Sequence, residues 1–124
     1  MGSFNIEEAR GNLKKRRDIA EKEREKLFNK AYSDYKEIIN MIIQRFNPER
    51  IYQWGSLLDK KMFTDYSDID IALEGMKSIE DLIELERLAE SLTEFPLDIL
   101  DLDKVPSVYA DTIRLKGVLV YERN

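Results

Sequence analysis

The chain contains no cysteine and no histidine among its 124 residues. The first absence removes disulfides, thiolate metal sites and a cysteine nucleophile. The second removes a Ser-His-Asp triad, His-ligated zinc and every imidazole base, leaving Asp, Glu, Lys and Tyr for acid–base chemistry. Prolines (three) and glycines (five) are scarce, so each one punctuates the chain. No apolar run reaches the roughly 20 residues of a membrane-spanning helix, and the N-terminus lacks an apolar signal segment. A cytoplasmic location with no membrane contact is expected. What is abundant is charge, 36% of residues with a net of −5, which argues against general nucleic-acid binding. Its placement is uneven: residues 1–30 hold nine Lys/Arg against six Asp/Glu, and residues 31–124 hold eleven against nineteen.

The length allows one compact domain with a core. Met1–Asn5 reads as a loose terminus. A helix starts at Ile6, but to Lys26 its apolar positions are few (Ile6, Ala9, Leu13, Ile19, Ala20). Such a narrow stripe could pair with a copy of itself, and Lys14-Lys15-Arg16-Arg17 reads as a solvated face. From Phe28 to Phe46 the apolar residues follow the i, i+3, i+4 spacing of a core-packed helix, ended at Asn47-Pro48. The expected division is a helical extension over 1–30 and a folded domain over 31–124.

Strands are expected at Arg50–Trp54, Asp68–Leu73, Leu97–Leu102 and Val118–Tyr121. Helices are expected over Leu57–Lys61, from Ile79 to Leu92 with Ser78 as N-cap, and from Pro106 to Lys116 before Gly117. The order is helix, helix, then β-α-β-α-β-α-β. This is an α/β (α+β) domain, a small mixed sheet of about four strands flanked by helices.

Chemistry concentrates in Ile51–Gly75. Gly55-Ser56 closes a strand, and a glycine at a strand-to-helix turn lets backbone N–H groups approach a phosphate. Eleven residues separate Ser56 from Asp68-Ile69-Asp70-Ile71. On a strand the two acids share one face, and two like charges there call for a cation such as Mg²⁺, which takes carboxylate and phosphate oxygens. Two such ions can clamp a phosphoryl displacement. Asp98 supplies a third acid within an aliphatic strand and is also the best acceptor for a hydroxyl proton. Asp101, three residues on, cannot share its face; Asp101 and Asp103 lie toward the strand end, where solvent is expected to take them.

Gly55-Ser56, the eleven-residue gap, Asp68-Ile69-Asp70, Asp98 in LDILDL and the closing GVLVYE resemble the nucleotidyltransferase superfamily that includes DNA polymerase beta. The likeness is greatest to the minimal nucleotidyltransferases (MNT proteins) of prokaryotes, over about residues 35–123. It implies a polymerase beta-like fold with an added N-terminal helix. It also implies Mg²⁺ on Asp68, Asp70 and Asp98, and the triphosphate on Gly55 and Ser56. Many relatives carry an Arg and a second Gly after the Gly-Ser pair; here Leu57-Leu58-Asp59-Lys60-Lys61 follows, and phosphate charge falls to Lys60 or Lys61. The implied activity is transfer of AMP from ATP to an acceptor hydroxyl. Members commonly pair with a helical HEPN toxin, and the resemblance implies that this chain is the antitoxin and AMPylates a tyrosine of that toxin. Two other classes compete: a module that neutralises a helical partner by contact alone, and a two-metal nuclease, for which the Gly-Ser turn has no use.

Overall fold

The computed structural model describes residues 5–124. It opens with one helix where two are expected: α1 runs unbroken from Ile6 to Arg45, 40 residues. The reason is local. No proline occurs before Pro48, Gly11 stands alone, and the intervening Glu, Lys, Arg, Ala and Leu favour helix. Asn5, expected to be loose, is the N-cap; its side chain accepts the Glu8 N–H at 3.1 Å. The rest of the expected loose terminus, residues 1–4, lies outside the described residues. Helix α1 is capped at Phe46, and the chain turns away at Asn47, whose φ of 45° is left-handed backbone that asparagine tolerates.

Burial along α1 begins at Leu27 and Phe28, and Ala31, Tyr35, Ile38, Ile39 and Ile42 form the core face. Upstream, Ile6, Leu13 and Ile19 are 56%, 51% and 61% exposed. No helix among the described residues is long and apolar enough to cross a membrane.

The remaining elements follow the expected order. They are β1 (Arg50–Trp54), a 3₁₀ turn (Gly55–Leu58), β2 (Ile69–Glu74), α2 (Ile79–Glu90), β3 (Leu97–Asp101), α3 (Ser107–Lys116) and β4 (Val118–Glu122). The mixed four-stranded sheet has the order β3-β2-β1-β4, with β1 antiparallel to both neighbours and β2 parallel to β3. Three local expectations need correcting. The short helix after Ser56 is a 3₁₀ turn placed two residues earlier, β2 starts at Ile69 rather than Asp68, and Pro106 is the residue before α3 rather than its first. Proline still suits that place, because its N–H would have no partner there.

The sheet has two apolar faces. On one, Ile51, Ile69, Ile71 and Leu73 pack with the core residues of α1 and with Leu85 and Ala89 of α2. On the other, Ala72 packs with Ala110 and Ile113 of α3, beside Tyr52, Trp54 and Leu100. Strand periodicity gives this second face Asp70, Ala72 and Glu74 in a row. Glu74 is buried. It accepts from Arg114 Nε of α3 at 2.6 Å and from Arg50 Nη1 of β1 at 3.0 Å, while Arg50 Nε donates to Glu122 of β4 at 2.6 Å. Burial pushes the Glu74 carboxyl up, but the two guanidinium partners outweigh it and hold it below its ordinary range. This network ties α3, β1 and β4 to one end of β2, and the opposite end stays open.

Candidate active site

The open end carries the acids. Register sets Asp70 of β2 opposite Asp98 of β3 and Trp54 of β1. Asp68 stands just before β2 and is exposed; Asp70 and Asp98 are half-buried. Burial, then the charge of Asp98, then that of Asp68 push the Asp70 carboxyl from an ordinary 3.8 up to about 7. Asp70 therefore feels the charge of two neighbouring acids and is held against its preferred ionisation.

Gly55 lies directly on this group. Its φ is +79°, and a Cβ there would stand 2.8 Å from Asp70 Cγ. Both facts demand glycine: the backbone conformation is one L side chains avoid, and the space is already filled by the carboxylate. The turn is fixed from behind, with Gln53 Nε2 donating to the Leu57 carbonyl at 3.2 Å and the Asp59 N–H to the Ser56 carbonyl at 3.2 Å. Gly55 and Ser56 are thus presented at the edge of the acid pair.

Asp101 does not behave as expected. It is buried, not solvated, and its Oδ1 accepts the Asp103 N–H at 2.9 Å. Asp103 in turn accepts the Gly75 N–H at 2.8 Å. Asp101 pairs in register with Leu73, three positions along β2 from Asp70. Its role is to hold the loop after β3, so the structure brings Asp98 to the acids and leaves Asp101 away from them.

Among the described residues neither lysine forms an ion pair with these acids. Lys60 Nζ is 2.7 Å from Glu25 Oε1 of α1. Lys61 is exposed, and its backbone N–H bonds Asp59 Oδ1 at 2.9 Å. Beside Asp98, a cavity of about 210 Å³ is lined by Glu86, Glu90, Leu97, Asp98 and Ile99. There burial, then the charge of Glu90, push Glu86 up. Glu86 and Glu90 belong to no sequence motif.

Among the described residues no three Asp, Glu, His or Cys close into a ready-made metal cage. The donor set nevertheless fits Mg²⁺. All donors are carboxylate oxygens, two stand in register on neighbouring strands, and Asp70 is pressed by like charges that a cation would relieve. Mg²⁺ is ordinarily held by one or two carboxylates, with substrate phosphates and water completing its shell.

Residues 36–124 match the family described as Polymerase beta, Nucleotidyltransferase. The chain belongs to this family. The nucleotidyltransferase match begins inside α1, so the exposed part of that helix lies outside it. Solved structures share the fold. A structure of the MntA–HepT toxin–antitoxin is 20% identical with a TM-score of 0.55, covering 74% of this chain and 73% of that one. A complex of MNT antitoxin with tri-AMPylated HEPN toxin from Shewanella oneidensis is 21% identical at TM-score 0.55, covering 75% and 73%. A toxin–antitoxin structure with AMP-PNP is 24% identical at TM-score 0.55, covering 71% and 73%. No curated protein matches the chain.

Proposed function

We propose that the chain is an Mg²⁺-dependent nucleotidyltransferase that moves AMP from ATP to a tyrosine hydroxyl of a HEPN-type partner, acting as its antitoxin. The observation that carries this is Gly55 pressed on Asp70, with Asp98 in register beside it. A glycine turn, which suits a phosphate, touches the acid that most needs a cation. Asp68, Asp70 and Asp98 would hold the metal, two ions in the full site, and bound Mg²⁺ would neutralise charge on the triphosphate and the leaving pyrophosphate. The N–H groups and hydroxyl of Gly55-Ser56 orient the triphosphate, with Lys60 or Lys61 adding positive charge. Asp98 takes the proton of the acceptor hydroxyl. Catalysis is then mostly positioning and charge neutralisation. The partner class is supported by the relatives solved with HEPN toxins, one of them AMPylated.

The test incubates the purified chain with the product of the adjacent reading frame, Mg²⁺ and ATP labelled at the α-phosphate. Label should appear on a partner tyrosine and vanish with Asp68→Asn or Asp70→Asn. A purified pair that never transfers label defeats the proposal. The contact-only reading draws on Lys60 being held by Glu25 and on the missing arginine after Gly55-Ser56. It would instead show Asp70→Asn neutralising the toxin as well as the wild type does.

A further inference from the structure

Three basic side chains that no motif groups together meet where the loop after the Gly-Ser turn folds against α1. Arg24 of α1, Lys60 and Lys61 line one cleft of about 300 Å³ with Glu21 and Glu25. Helix α1 packs on the 3₁₀ turn itself. Lys60 follows Ser56 by four residues, which caps their Cα separation at about 14 Å. The Glu25–Lys60 ion pair bridges α1 to the loop and fixes the cleft's two walls together. It also occupies Glu25, whose carboxyl is lowered by the Lys60 hydrogen bond and charge. Arg24 and Lys61 are in no ion pair among the described residues, so they outnumber Glu21 as uncommitted charges.

We infer that this cleft receives the β- and γ-phosphates of the nucleotide, and that Arg24 supplies the guanidinium missing from residues 57–61. The role in transfer rests on the nucleotidyltransferase reading; the anion binding does not. A guanidinium offers a planar fork that binds two phosphate oxygens together, whereas Lys61 adds a point charge. Arg24 lies before residue 36, where the family match begins, so the exposed arm of α1 completes the site from outside the shared domain. Glu25 restrains Lys60: its carboxylate competes with phosphate for the ammonium at the cleft wall.

The experiment is calorimetric titration of the full chain with inorganic tripolyphosphate, ATP and AMP. The wild type should bind tripolyphosphate. Arg24→Ala should weaken tripolyphosphate and ATP about tenfold, the loss of a charged hydrogen-bonded partner, and leave AMP unchanged. Arg24→Lys should restore part of the loss, and Glu25→Gln should tighten tripolyphosphate by freeing Lys60. Equal tripolyphosphate affinity in wild type and Arg24→Ala overturns the assignment, as does an equal loss for AMP, which would make Arg24 a support of the fold only. No tripolyphosphate binding by the wild type overturns it too. If Arg24-dependent binding stands while label transfer to the HEPN protein fails, the cleft survives and the enzymatic reading falls. If Asp70-dependent transfer stands while Arg24→Ala binds as wild type, the cleft alone falls.

Discussion

Asp70→Asn should abolish transfer and yet make the metal-free protein more stable. The folded chain holds Asp70 at about 7 where an ordinary carboxyl sits at 3.8, chiefly through burial and then through Asp98 and Asp68. As pH rises from about 4, the unfolded chain releases this proton while the folded chain retains it, so folding loses stability until about pH 7 and no more above it. At about 1.4 kcal/mol per pH unit the ceiling is about 4 kcal/mol. Asp70 is only half-buried and solvent screens its neighbours, which brings the expected penalty to about 2 kcal/mol. Asparagine keeps the shape and drops the charge. For a chain of this size the gain corresponds to a Tm rise of about 6–10 °C. Thermal melts by circular dichroism, in EDTA, should show the two proteins nearly coincident at about pH 3 and fully separated at pH 8. Added Mg²⁺ with ATP should raise the wild-type Tm and leave Asp70→Asn unmoved. A variant that melts below wild type at pH 8, or a gap that is the same at both pH values, would refute the electrostatic argument.

Other substitutions separate the site from its scaffold. Gly55→Ala meets both a left-handed φ and the Asp70 carboxylate, and should cost about 2 kcal/mol or more in urea melts together with nucleotide affinity. Glu74→Gln leaves Arg114 and Arg50 without their buried partner and should cost about 3 kcal/mol. Because Glu74 is held below its ordinary range, its contribution is present above that range and lost as pH falls, so variant and wild type should converge in acid. Asp98→Ala should end label transfer without lowering Tm, whereas Asp101→Ala, which uncaps the Asp103 N–H, should cost about 1–2 kcal/mol in denaturant and spare transfer.

Local chemistry made much of the fold legible. Gly55, Pro96, Pro106 and Gly117 bound their elements because a scarce residue with a distinctive backbone preference constrains few choices, and Ser78 marks a helix start because its hydroxyl accepts the Asp81 N–H. Alternation in Ile69–Leu73 gave a strand, with Asp70 on the face away from its isoleucines. Asp98 was separable from Asp101 by parity alone, but the burial of Asp101 was not, since it depends on the turn at Asp103 and the approach of Gly75. The network of Glu74, Arg50 and Arg114 was invisible for the same reason: its members are 24 and 40 residues apart and meet only through sheet register. Arg24 sits in a run of alternating charges that reads as solvated face until the loop at Lys60 folds against it. The unbroken course of α1 was hidden by a change in apolar density at Leu27, which marks where packing begins and not where helix ends.

That unbroken course has a thermodynamic consequence. A free 20-residue helix of charged residues is marginal in water, because its first turn must fix several residues for a single hydrogen bond. In α1 the half packed on the sheet serves as a permanent nucleus, and the exposed half needs only propagation, one residue at a time. Amide exchange should therefore be graded, fastest near Ile6 and slowing steadily toward Leu27, with no cooperative break between arm and body.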